Sequence, residues 1–184
     1  MSRSRLLLAT LPTLVAALLL PGCGSSTTDE QRLTSPRTAT TRAPSSSSYA
    51  PEGTTIPTEY DEKADARADV RAALAASRRD GKPVLLDFGA DWCPDCRVLE
   101  KLYRVPAVSK DLLSAYHLVL VNVGEFDRNI RLALRYVDLR TSGIPALAVV
   151  RDGKTVYASD RGQFANARTM KVNELQEFLR TWAG

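Results

Sequence analysis

The sequence predicts an α/β domain built on a mixed sheet, with a parallel β-α-β unit, an antiparallel hairpin, helices on both faces and an extra helix at the N-terminal side. Three observations carry this. Pro83-Val84-Leu85-Leu86-Asp87-Phe88 and Leu118-Val119-Leu120-Val121-Asn122-Val123 are short, nearly all-apolar runs of the kind found in strands buried on both faces. Between them Val98, Leu99, Leu102 and Tyr103 keep a helical spacing, so the two strands are joined by a right-handed crossover. Beyond them Ala146-Leu147-Ala148-Val149-Val150 and Thr155-Val156-Tyr157 flank Asp152-Gly153, a strong hairpin turn signal.

In chain order, residues 1–22 have the shape of an export signal, with Arg3 and Arg5 ahead of the apolar run Leu6 to Leu20. Pro12 and Pro21 interrupt that run, which is short for a span of about 20 apolar residues. Leu20-Pro21-Gly22-Cys23 resembles the bacterial lipobox, which implies that Cys23 is lipid-modified and becomes the mature N-terminus. The alternative is a simple secretory signal followed by an isolated cysteine. Residues 23–60 are rich in Ser, Thr, Pro, Ala and Gly, including Ser45-Ser46-Ser47-Ser48, and show no helical or strand period. They are expected to form a disordered linker, a leash of roughly 37 residues and about 35 Å root-mean-square span.

The folded domain is expected over 61–184. Val70, Ala73, Leu74 and Ser77 share one helical face, and Gly81 ends that helix before the first strand. Ile130, Ala133, Leu134 and Val137 predict a helix after the second strand, and Val172, Leu175, Phe178, Leu179 and Trp182 predict the last one. No internal repeat is visible.

At 184 residues and 44% hydrophobic, the chain can fill the core of one domain. The formal charge is +4; setting aside Arg3 and Arg5 leaves 23 basic against 21 acidic residues, interspersed as in Arg78-Arg79-Asp80. That balance gives no support to a nucleic-acid partner.

The chemistry concentrates at Asp91-Trp92-Cys93-Pro94-Asp95-Cys96, where the first strand ends and a helix begins. Pro94 suits the first helical position, where its missing N–H has no partner to lose. Cys93 then stands just before the helix, and the free N–H groups and positive dipole end favour its thiolate. Cys96, one turn later, is placed to close a small ring as the resolving thiol. A zinc site would need two more ligands, whereas the remaining cysteine is Cys23 and the only histidine is His117. A purely structural bridge over so short a loop would constrain the unfolded chain little. Redox exchange is the favoured reading.

Val84 to Cys96 together with Ser142-Gly143-Ile144-Pro145-Ala146 resembles the strand, active-site and cis-proline segments of the thioredoxin superfamily, and the resemblance covers roughly residues 65–184. It implies a thioredoxin-like fold, a cis Ile144–Pro145 bond opposite the cysteines, and a substrate peptide added as a strand along Ile144. Trp92 would wall the substrate groove. Asp87, six residues before Cys93, matches the family's buried acid, which relays a proton to and from the resolving cysteine. The charged partner that thioredoxins often place near that acid is absent, because Leu120 stands there. Pro94 and Asp95 form the dipeptide that tunes redox potential, and the charge of Asp95 opposes the thiolate while favouring the helix start. The 124–140 segment and the tail Gly162 to Arg168 are similar to those of exported bacterial thioredoxin-like proteins.

The expected function is therefore thiol–disulfide exchange outside the cytoplasm through Cys93 and Cys96, as a reductase or exchange protein more than a strong oxidant. No cofactor beyond the Cys93–Cys96 pair and no metal is expected. Partners would be protein or peptide disulfides and a membrane-associated electron donor or acceptor. A monomer is expected, held by Cys23 on the outer face of the membrane. The rival from another class is a carrier binding a soft metal such as copper on the two thiols, with His117 or Met170 as a third ligand.

Overall fold

A computed structural model describes residues 47, 49 and 55–184; the signal segment, Cys23 and most of the expected linker lie outside the described residues. Helix α1, Ala66–Asp80, opens with Asp65 accepting the N–H of Ala68, and closes at Gly81, whose positive φ is the left-handed turn that glycine accommodates best. Strand β1, Val84–Gly89, is buried along its whole length. The crossover that follows is two helices, α2 over Pro94–Tyr103 and α3 over Pro106–Ala115. Pro106 explains the division, since a proline suits the first turn of a new helix and breaks the interior of an old one.

Strand β2, His117–Asn122, pairs parallel to β1, with Val84 opposite His117 and Gly89 opposite Asn122. Strand β3, Ala146–Arg151, runs antiparallel on the other side of β1 and turns through Asp152 and Gly153, both at positive φ, into β4, Lys154–Ala158. The sheet order is therefore β2-β1-β3-β4, a mixed sheet with β1 and β3 in its interior. Helix α6, Val172–Trp182, buries Leu175 and Leu179.

Two expectations need correction. The helix predicted from Ile130 to Val137 is a single turn, α4 over Ile130–Ala133, and a second short turn, α5, follows at Leu139–Ser142. Because the helical register ends after Ala133, Val137 still turns inward while Leu134 is 54% exposed. The folded part also begins before Asp61. Tyr60 is fully buried, Ile56 nearly so, and Tyr49 forms a bridge with Val119 on the free edge of β2. Ser47 donates to Asp69 at 2.7 Å, and the Tyr49 hydroxyl lies 3.0 Å from Nδ1 of His117, whose Nε2 meets Asp80. These aromatic and aliphatic side chains bring apolar area into a segment whose average composition is that of a disordered chain, so its C-terminal part folds onto the domain. Among the described residues no helix is long and apolar enough to cross a membrane.

The Tyr60 ring packs against Gly89 at the end of β1. A Cβ on Gly89 would stand 2.5 Å from the Tyr60 ring, closer than any real contact. Gly89→Ala is therefore expected to cost roughly 1–3 kcal/mol of stability, the range for overfilling a packed core. Urea unfolding of the variant measures this, and an unchanged midpoint would mean that Tyr60 is not seated there.

Candidate active site

The site lies at the end of β1 where the chain turns into α2. Cys93 is the residue capping α2, and its sulfur accepts the N–H of Cys96 at 3.3 Å. Its backbone N–H is fixed to the carbonyl of Ala90 at 3.1 Å, which completes the tight turn after the strand. Across from it the Ile144–Pro145 bond is cis, and the Ile144 carbonyl accepts the Cys93 thiol at 3.7 Å. Both cysteines are thiols here and both are buried, Cys96 completely. Burial, the hydrogen bond with Cys93 and the negative charge of Asp87 push the Cys96 thiol strongly upward, so it holds its proton until a base is available.

Asp87 supplies a carboxylate in the middle of an otherwise apolar strand. It is fully buried, and its Oδ2 accepts the hydroxyls of Tyr60 at 2.9 Å and Tyr103 at 3.0 Å. Burial raises its pKa to about 7, against the lowering effect of those two hydrogen bonds and with a further push from the charge of Glu100. Both tyrosines are themselves held well above the ordinary phenol range by burial and by Asp87, so they act as donors. The other oxygen, Oδ1, is buried without a hydrogen-bond partner among the described residues. Leu120 stands beside Asp87 in the β1–β2 register, so the neighbouring position on that strand carries no cation.

Tyr60 does more than donate to Asp87. Its N–H is held by the Asp91 carboxylate at 3.2 Å and its carbonyl by the side-chain amide of Asn122, whose own oxygen accepts the N–H of Gly124. The loops on both sides of the cysteines are thus tied to one residue of the pre-helix segment. Glu100 is buried on α2 beside Arg97 and Arg104, with Nε of Arg97 3.4 Å from Oε2. Although Oε2 accepts no hydrogen bond among the described residues, that proximity gives it a charge partner.

Trp92 sits on the rim, 49% exposed, with its indole N–H donating to the Gly124 carbonyl at 2.9 Å and its ring edge-on to the exposed Phe126. The Trp92 ring borders a hollow of about 330 Å³ that reaches Ala90, Asn122 and Arg128. A larger hollow of about 500 Å³ lies near Tyr49 and His117, at the opposite end of β1.

The structure thus gathers Cys93, Cys96, Asp87, Ile144 and Pro145, with Pro94 opening α2 and Trp92 at the edge. It pairs Asp95 with Arg168, and Cys23 lies outside the described residues. His117 is not brought to the thiols. It stands opposite Val84, five residues of strand below Gly89, or about 17 Å at 3.3 Å per residue. Met170 packs against the core. Among the described residues no group of three or more His, Cys, Asp or Glu side chains is arranged to hold a metal.

Tyr60, Tyr103, Glu100, Phe126 and Arg168 were not singled out as site residues by sequence. Tyr103 and Glu100 had a usable signal, since they follow Cys96 at seven and four residues and so share its helical face. Tyr60, Phe126 and Arg168 had none, because their contacts are made by loops.

Residues 65–151 match the model of a thioredoxin-like family. The crystal structure of a disulphide isomerase from Xylella fastidiosa Temecula1 is similar at 42% identity and a TM-score of 0.65, over 69% of this chain and 98% of that one. The thiol:disulfide interchange protein DsbD 1 of Pseudomonas aeruginosa is 43% identical over 58 residues, 32% of this chain. The thiol:disulfide interchange protein DsbD of Ralstonia nicotianae is 29% identical over 112 residues, 61% of this chain. This chain spans only 10% and 17% of the length of those two proteins. Taken with the paired thiols at the start of α2, these likenesses define a thiol–disulfide oxidoreductase. The chain belongs to the thioredoxin-like family.

The state of Asp87 has a measurable consequence. An unfolded aspartate releases its proton near pH 4, whereas the folded one keeps it to about pH 7. Across that window the folded state holds a proton that the unfolded state has lost, so stability falls as pH rises and levels off above it. Asp87→Asn keeps an acceptor for the tyrosines without the charge. It is expected to match wild type near pH 4 and to exceed it at pH 8 by at most about 4 kcal/mol, the equivalent of three pKa units. Urea titrations at both pH values test this, and an equal difference at the two would contradict the assignment.

Proposed function

We propose that the protein is an extracytoplasmic thiol–disulfide exchange protein, working as a reductase or exchanger of polypeptide disulfides more than as a strong oxidant, tethered to the membrane through lipidated Cys23. The observation that carries the redox part is the vertical arrangement of Cys93 capping α2, Cys96 buried behind it and Asp87 buried nearby with one free oxygen.

The Cys93 thiolate attacks one sulfur of a substrate disulfide and expels the other as a thiolate, giving a mixed disulfide. Cys96 then loses its proton to Oδ1 of Asp87, the oxygen that the tyrosines leave free. Its thiolate attacks Cys93, expels the second substrate sulfur as a thiolate and leaves the Cys93–Cys96 disulfide; the two substrate thiolates take up protons, one returned by the Asp87 carboxyl and one from solvent, to give the dithiol. Two electrons have passed to the substrate, and a membrane-associated donor of two electrons must restore the pair. The substrate chain lies along Ile144, and the Trp92–Phe126 rim flanks the entering disulfide. The similar proteins are named for disulfide interchange and isomerisation, which favours reversible exchange over one-way oxidation.

The export reading rests on Arg3, Arg5, Leu6 to Leu20 and Cys23. The copper-carrier reading loses His117 as a third ligand, because that residue is at the far end of the sheet.

Cys93→Ser is expected to abolish reduction of insulin disulfides, and Cys96→Ser to accumulate a mixed disulfide with the substrate that gel electrophoresis without reductant resolves. Wild-type turnover by Cys93→Ser would exclude the mechanism. The reduction potential of the pair is expected nearer about −270 mV than about −120 mV. Fatty-acid labelling in an exporting bacterial host tests the anchor: Cys23→Ala should lose the label and leave the membrane fraction, and retention of the label would refute lipidation at Cys23.

A further inference from the structure

Asp95 stands at a position where a carboxylate works against the chemistry. It is two residues after Cys93 in the first turn of α2, where its charge favours the helix but opposes a thiolate at the helix start. That charge is not left alone. Asp95 is buried, and its Oδ1 accepts two hydrogen bonds from one distant residue, the backbone N–H of Arg168 at 2.9 Å and the guanidinium Nε of Arg168 at 3.1 Å. Arg168 lies in the short 3-10 turn Ala167–Thr169, and the buried side chains of Phe164 and Ala167 fasten that segment to the core. Cys93 finds its own stabilisation elsewhere, from the N–H of Cys96.

We propose that Arg168 is a positioning residue for the exchange reaction: by binding and neutralising Asp95 it removes the opposing charge from the helix start, so that the attacking thiolate forms more readily than the Cys-Pro-Asp-Cys sequence implies. The inference rests on the reading of Cys93 as the attacking thiol. Division of labour within Arg168 makes it specific. The backbone N–H holds the carboxylate in place whatever the side chain is, while the guanidinium supplies the charge. Because that side chain is 60% exposed, its influence is that of a screened charge at a helix end, roughly two- to fivefold in thiolate population.

The test is an ultraviolet titration of the thiolate in the reduced chain carrying Cys23→Ala, so that only Cys93 and Cys96 respond. It reads the thiol directly and needs no substrate, so it stands or falls separately from the proposed activity. Arg168→Gln is expected to lower the thiolate fraction of the first-titrating cysteine roughly two- to fivefold at fixed pH, Arg168→Lys to stay near wild type, and Asp95→Asn to raise the fraction. Added to Asp95→Asn, the Arg168→Gln change should have little further effect, because the charge it compensates is gone. No change in folded Arg168→Gln, or an equal loss with and without Asp95, would overturn the proposal. If Arg168→Gln loosens the C-terminal segment, as thermal unfolding would reveal, Arg168→Lys and Asp95→Asn decide the matter; a lower thiolate fraction in Asp95→Asn overturns it.

Discussion

The architecture depends on keeping one carboxylate in the interior. Burying an ionisable group in an apolar strand costs several kcal/mol unless it is paired or holds its proton, and Asp87 is met by a partial solution of both kinds. Two tyrosine hydroxyls satisfy one oxygen, and the pKa has moved to about 7. Tyr103 comes from the same helix as Cys96, which ties the orientation of α2 to the acid. Tyr60 comes from outside the central βαβ unit and reaches the acid only because Gly89 leaves space for its ring. Through its backbone, Tyr60 also holds Asp91 on one side of the cysteines and Asn122 on the other. A single buried group thus sets the positions of the pre-helix segment, the active-site turn and the loop after β2.

The electrostatics around the thiols are a balance of acids and their neutralisers. Asp87 and Glu100 are both buried, and both disfavour additional negative charge nearby. Glu100 is offset by Arg97 and Arg104 on its own helix, Asp95 by Arg168 from the tail. Among the described residues no cation is paired with Asp87, Leu120 occupying the place beside it, and its remedy is protonation instead. A carboxyl that titrates near neutrality is chemically able both to take and to return a proton.

The parts of this arrangement that were legible in sequence are those written in local pattern. The two buried strands, the Asp152-Gly153 turn and the strand-to-helix cysteine motif each occupy a few consecutive residues, and the structure has them where the pattern places them. Local pattern failed where packing decides. Ile130, Ala133, Leu134 and Val137 fit a helical face, yet the helix stops after one turn: Ala133 and Val137 are buried, Ile130 is half-buried and Leu134 is left outside. Tyr60 sat at the edge of a polar, proline-rich stretch whose average composition concealed one anchoring aromatic. Arg168 is 73 positions from Asp95, a separation at which no spacing rule applies.

The bridge between Tyr49 and Val119 bears on how copies of the chain meet. A sheet of this order has two outer strands, and an outer strand offers unpaired N–H and C=O groups to any passing strand. On the β2 side Tyr49 covers part of that margin, secured by its hydroxyl at His117 and by the neighbouring contact of Ser47 with Asp69. Molecules crowded together on a surface would otherwise find one another's open margins at high local concentration. The chain shields that margin with its own preceding segment, which guards against edge-to-edge aggregation through β2.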